Sequence, residues 1–163
     1  MFTLVFLFLT LDSVAGAALP VLTTRHLAVL SSDRGLREFA RGTTPMPGRC
    51  CIEDTARALV AVLQMHVLAP SDETRRLARL YVDAISGLQD DDGTLHFGYG
   101  EDGRRLARLA KGDSFGRALW GLGYANAHGI DPPMRTRTRT MFMKALPHVK
   151  TQVGGGVLEQ SYT

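Results

Sequence analysis

The tripeptide Arg57-Ala58-Leu59 returns as Arg117-Ala118-Leu119, 60 residues further along the chain. An acidic or polar group precedes each copy: Glu53-Asp54-Thr55 before the first and Gly112-Asp113-Ser114 before the second. Both copies open a stretch that is apolar nearly all round a helical projection. One amphipathic hairpin cannot bury such a surface by itself, so a repeat of this size predicts helical hairpins stacked on one another. Equivalent helices then carry acids and arginines at equivalent ends.

The segments between the repeats follow the same logic. A short helix is predicted over 22–30, stopped by Ser31-Ser32-Asp33-Arg34-Gly35, and a breaker-rich loop follows with Gly42, Pro45, Pro47 and Gly48. The helix predicted over 53–67 has Ala56, Leu59, Val60 and Leu63 on one side and Ala58, Val62 and Met65 on the other, so both sides are expected to be enclosed. Pro70-Ser71-Asp72-Glu73 is a start signal, with Ser71 as cap and two acids in the first turn. Leu77, Leu80, Tyr81, Ala84, Ile85 and Leu88 then form one apolar stripe, and Arg75, Arg76, Arg79 and Asp83 fall outside it.

Residues 89–103 read as a polar loop in which Leu95, Phe97 and Tyr99 alternate, compatible with a short strand or hairpin. A third long helix is predicted over 113–128. Its Gly116, Gly121 and Gly123 each cost about 1 kcal/mol against Ala, a cost best explained by close packing or close ligand approach. Gly129 ends that helix and Asp131-Pro132-Pro133 starts another, Pro suiting a first turn. The order is therefore buried, amphipathic, buried, amphipathic. That order predicts an all-α fold: antiparallel helical hairpins of an (α/α) toroid, incomplete at about five to six helices. Residues 21–163 form this one partial toroid domain, and residues 1–20 are set apart as a leader.

The leader is apolar from Phe2 to Leu11, and Ala15-Gly16-Ala17 has the small-x-small form of a signal-peptidase site. No Lys or Arg precedes Arg25, so a buried segment or an early start codon are alternatives to a secretory signal. The run is too short for a membrane span. The net charge of +3 is mild. Arg135-Thr136-Arg137-Thr138-Arg139 spreads round a helix as a solvated face, so no nucleic acid partner is expected. The vicinal Cys50 and Cys51 read as small buried thiols, since neighbours rarely reach disulfide geometry. No metal and no cofactor are expected: His26, His66, His96, His128 and His148 are scattered, and none pairs with a cysteine at ligand spacing.

The chemistry concentrates at the helix starts. Parallel inner helices bring their first turns to one end, which would gather Glu53, Asp54 and Asp113 as catalytic candidates. Arg57, Arg117, Tyr99, Asp91, Asp92 and Trp120 are the candidates for substrate contact. Singly, Asp54 and Asp113 read first as helix caps, and Trp120 and Tyr124 read first as core. Arg57 and Arg117 change the balance, because a cation in a first turn opposes the helix dipole and needs a partner. Asp54 at i+3 and Asp113 at i+4 spacing supply one each. Two carboxylates with aromatic rings beside them fit glycoside chemistry, one acid protonating the leaving oxygen and the other acting as base or nucleophile.

Arg25-His26-Leu27, Asp33-Arg34-Gly35-Leu36, Phe39-Ala40, Cys51 to Leu59 and Gly112 to Trp120 together resemble the six-hairpin, glycosidase-like α-toroid domains of bacteria. The likeness spans roughly Thr23 to Met143. Such domains are often encoded with, or fused behind, glycosyltransferases, so it implies a carbohydrate partner, a glycosyltransferase nearby and a cytoplasmic setting. The family pattern has two aspartates and Asn where this chain has Glu53-Asp54-Thr55. It also has Glu-Asp, a polar residue, His and Gly where this chain has Gly112-Asp113-Ser114-Phe115-Gly116. Two rivals stand beside a carbohydrate-active protein. One is a non-catalytic glycan-binding or protein-docking module. The other is an isoprenoid or peptide cyclase, suggested by Asp90-Asp91-Asp92 but short of aromatic residues at 7%.

Overall fold

A computed structural model describes residues 23–153. The expected leader and the Gly154–Gln160 tail lie outside these residues. The elements are α1 (Arg25–Leu30), β1 (Ser31–Ser32), β2 (Gly35–Leu36), β3 (Ala40–Arg41), β4 (Thr44–Pro45), β5 (Cys50–Cys51), α2 (Ile52–Leu68) and α3 (Asp72–Ser86). After them come β6 (Gly98–Tyr99), α4 (Asp113–His128), α5 (Pro132–Ala145), a 3-10 turn (Leu146–His148) and α6 (Val149–Gln152).

The all-α expectation is wrong, and the toroid built on it falls with it. Three two-stranded antiparallel sheets, β1–β2, β3–β4 and β5–β6, stand among the described residues beside the helices. The fold is mixed helix and strand. The physical reason is length: strands of two residues are too short to show an alternating pattern. The stop signal after α1 is itself a hairpin, with Ser31 opposite Leu36 and Ser32 opposite Gly35. The breaker-rich loop hides a second hairpin, Ala40 opposite Pro45.

The four long helices agree with the sequence reading. α2 and α4 lie side by side and point the same way, while α3 returns against α2 and α5 against α4. Gly121 makes the central approach possible: a methyl group there would stand 2.9 Å from Ala56 Cβ and 3.2 Å from its carbonyl oxygen. Ile52, Leu59, Leu63, Leu77, Tyr81, Ile85, Phe115 and Leu122 fill one core between the helices. Both sides of α2 are buried, as its two apolar faces require. α3 keeps one wet face and starts with a capping box between Ser71 and Thr74. α5 starts on Asp131, whose carboxylate accepts from Met134 N at 2.9 Å.

The start of α2 is tied to the loop before α4. Cys50 pairs with Tyr99 and Cys51 with Gly98, and Ile52 N donates to Phe97 O at 2.8 Å. Leu95, Phe97 and Tyr99 are all buried, so their alternation does mark a pleated segment with one inward face. The end of the described chain locks the same region. The Gln152 amide, itself buried, donates to Ala110 O at 2.6 Å and to Leu95 O at 3.1 Å. Gly112 N donates to Gln152 O at 2.6 Å. Gly112 has φ of 56°, a conformation that favours glycine, and it turns the chain into α4. Among the described residues no helix is long and apolar enough to cross a membrane.

Candidate functional site

The solvent side of the α2–α4 pair carries the polar residues of both helices. On α2, Glu53 and Asp54 are partly buried and Arg57 is exposed; on α4, Asp113, Arg117 and Tyr124 are partly buried and Trp120 is exposed. Positions 113, 117, 120 and 124 follow a helical period and form one stripe. The charges of Asp113 and Arg117 act on the Glu53 carboxyl, so the two stripes meet at the helix starts. The first turns of the two repeated helices therefore open onto a common rim.

Neither Asp54 nor Asp113 is a cap. Cys51 and Gly112 hold the N-cap positions, and neither makes a side-chain cap bond. Asp54 instead accepts the Cys51 thiol proton at 2.9 Å and pairs with Arg57. Arg57 also reaches Glu53 at 3.9 Å. Asp113 Oδ2 accepts from Arg117 Nε at 2.7 Å, and its Oδ1 is buried without a hydrogen-bond partner among the described residues. Leaving a buried acceptor unmet costs about 1–3 kcal/mol.

Burial, then the neighbouring Asp54 charge, raises the Glu53 carboxyl above its ordinary value; Arg57 opposes the shift, Asp113 adds to it and Arg117 opposes it. Desolvation disfavours the charged form, and a like charge does the same. Glu53 is thus a rim carboxyl with a raised pKa, beside two aspartates matched to arginines. Burial also raises the Cys51 thiol, and the Asp54 carboxylate that takes its hydrogen bond adds to the shift.

Three donors meet here that spacing arguments overlooked. Cys51 Sγ and one oxygen each of Glu53 and Asp54 lie within 4.8 Å of one another. They are the residues that could hold a cation. The protonated state that burial imposes on Cys51 works against it as a ligand, since thiolates bind metals and thiols do not.

The remaining candidates are dispersed. Tyr99 is buried under the rim, and its hydroxyl donates to Ala84 O at 3.2 Å. Burial raises its phenol above the ordinary value. Asp91 and Asp92 lie on the α5 side of the bundle end. Asp91 borders a hollow with Arg137 and Lys144, and Asp92 turns its carboxylate back to Thr94 N at 2.9 Å. Trp120 is 40% exposed and stands on the rim stripe, so its core reading is corrected in favour of an open ring. Tyr124 is partly buried and packs on His128, ring centroids 4.5 Å apart.

His96 is the residue whose place was least expected. It is largely buried in the loop before α4, with Nε2 2.8 Å from Asp90 Oδ2 and Nδ1 2.8 Å from Leu106 O. Arg105 holds the other Asp90 oxygen at 2.7 Å. The first acid of the Asp90-Asp91-Asp92 run is spent on pinning its own loop. The only prior signal was a histidine between two alternating apolar residues, Leu95 and Phe97.

No protein-family model and no curated protein matches the chain.

Proposed function

We propose that this is a carbohydrate-active protein, glycoside-hydrolase-like, which takes its glycan at the rim formed by the first turns of α2 and α4. The observation that carries the reading is Glu53. Burial and then Asp54 raise its pKa above the ordinary carboxyl value, and the charges of Asp113 and Arg117 reach it. A carboxyl pKa shifted upward suits a general acid at a leaving oxygen. Asp113 is the facing carboxylate, positioned by Arg117 and keeping one oxygen unpaired. Asp54, fixed by Cys51 and Arg57, adds to the upward shift of Glu53 through its charge. Trp120 offers an apolar ring to a sugar face one turn along α4 from Arg117. The likeness to bacterial glycosidase-like domains favours the same chemistry and a glycosyltransferase as neighbour or partner.

A second reading, a glycan-binding module without turnover, is favoured by the pairing of Asp54 with Arg57 and of Asp113 with Arg117. Paired carboxylates make good hydroxyl acceptors and poor nucleophiles.

Release of reducing ends from a panel of oligosaccharides separates the two. Under the hydrolase reading, Glu53→Gln lowers turnover by about two orders of magnitude or more while sugar affinity holds. Asp113→Asn lowers it as well. Sugar binding without turnover in the wild type selects the binding module, and turnover unchanged in Glu53→Gln rejects the assignment of the acid.

A further inference from the structure

Beside the rim stands a second group of side chains that the hydrolytic reading does not use. Phe97 is buried, and two guanidinium groups lie against its ring: Arg108 at 4.0 Å and Arg49 at 5.2 Å from the centroid. The Phe97 backbone sits next to the start of α2, since Phe97 O accepts from Ile52 N. Arg49 also feels the Glu53 charge, so this stack borders the proposed acid.

The two arginines differ. Arg49 is committed to Glu38 through a two-point contact, Nη2 lying 2.9 Å from Oε1. Arg108 is exposed, and among the described residues no carboxylate lies within ion-pair distance of it. Its neighbours Arg104 and Arg105 are matched to Asp102 and Asp90. Arg57 and Arg117 on the rim itself are also matched. A guanidinium seated over an aromatic ring leaves N–H groups for a two-point contact to an oxyanion.

We propose that the glycan taken at the rim is anionic, and that Arg108, seated on Phe97, binds its carboxylate or sulfate group. This rests on the carbohydrate reading above and names the substrate class for it. Glu53, Asp113 and Trp120 address the ring and its hydroxyls, and Arg108 addresses the charge.

The test is calorimetric titration of the whole chain, at fixed ionic strength, with three oligosaccharides of equal length: an oligogalacturonate, a sulfated maltooligosaccharide and its neutral parent. One anionic arm binds at least about tenfold tighter than the neutral arm, the strength of a charge-assisted contact, and which arm it is separates carboxylate from sulfate. Arg108→Gln removes that advantage, with an unchanged melting curve, while Arg139→Gln on the exposed side of α5 leaves it intact. Equal affinity for neutral and anionic arms overturns the inference and leaves the carbohydrate reading standing. The same loss in Arg139→Gln as in Arg108→Gln overturns it too, because the attraction is then diffuse. Binding of none of the sugars overturns both.

Discussion

The four long helices start in two different ways. α3 and α5 begin as isolated helices should. Ser71 and Asp131 each accept a backbone N–H of the first turn, and α3 adds the reciprocal bond, Ser71 N donating to Thr74 Oγ1. α2 and α4 begin with no side-chain cap at all. Their first-turn carboxylates turn sideways, to Cys51, Arg57 and Arg117. Their stability comes instead from tertiary contacts: Ile52 N reaches Phe97 O, and Gly112 N reaches Gln152 O. The lesson is a division of labour. Ser71 and Asp131 at the outer helix starts serve the fold as caps, and the carboxylates at the inner starts cap nothing.

Breaking the packing under the rim gives the largest expected effect. Gly121→Val drives methyl groups into the Ala56 backbone and is expected to cost about 3 kcal/mol, the upper range for overpacking. Urea unfolding measures it, and a loss under about 1 kcal/mol would mean the two inner helices can slide apart. Gln152→Ala comes next. It strips Ala110 O of its amide partner and is expected to cost about 2 kcal/mol, read in the same way. Removing the caps with Ser71→Ala or Asp131→Ala is expected to cost about 1 kcal/mol each.

The smallest effects are slopes with pH. The Glu53 pKa is raised in the fold, so its contribution is fully present below the ordinary value of 4.5 and is lost as pH rises through the folded value. Glu53→Gln should therefore gain on the wild type as pH climbs through that window. Asp90 is opposite: the hydrogen bond from His96, helped by Arg105, lowers its pKa. Its contribution is present above 3.8 and is lost as pH falls through the folded value. Asp90→Asn should lose most near neutrality and nothing in strong acid. Melting temperatures between pH 3 and pH 7 report both, and parallel curves for either variant would contradict the assignment.

The long helices, the outer caps and the close approach at Gly121 were legible because each leaves a local mark. Such marks are a 3.6-residue stripe, a Ser or Asp ahead of it, and a glycine where a helix should avoid one. The three sheets left none, since two-residue strands show no period. The fate of Tyr99 was equally silent. An alternating Leu95, Phe97 and Tyr99 says that one face is buried, and it was the face bearing the phenol. Trp120 went the other way, because the sequence shows a helix apolar all round but does not say which side goes uncovered. His96 and the Arg49–Phe97–Arg108 stack join residues from separate segments, and only the folded loop brings them together.

The division between outer and inner helix starts is tested most directly by one paired titration. A rim variant, Glu53→Gln with Asp113→Asn, and a cap variant, Ser71→Ala with Asp131→Ala, are each compared with the wild type for glycan affinity or turnover and for melting temperature. The predicted result is that the rim variant loses glycan function and melts no earlier than the wild type, while the cap variant melts early and keeps its function. A rim variant that melts early yet still handles glycan as the wild type does would contradict it.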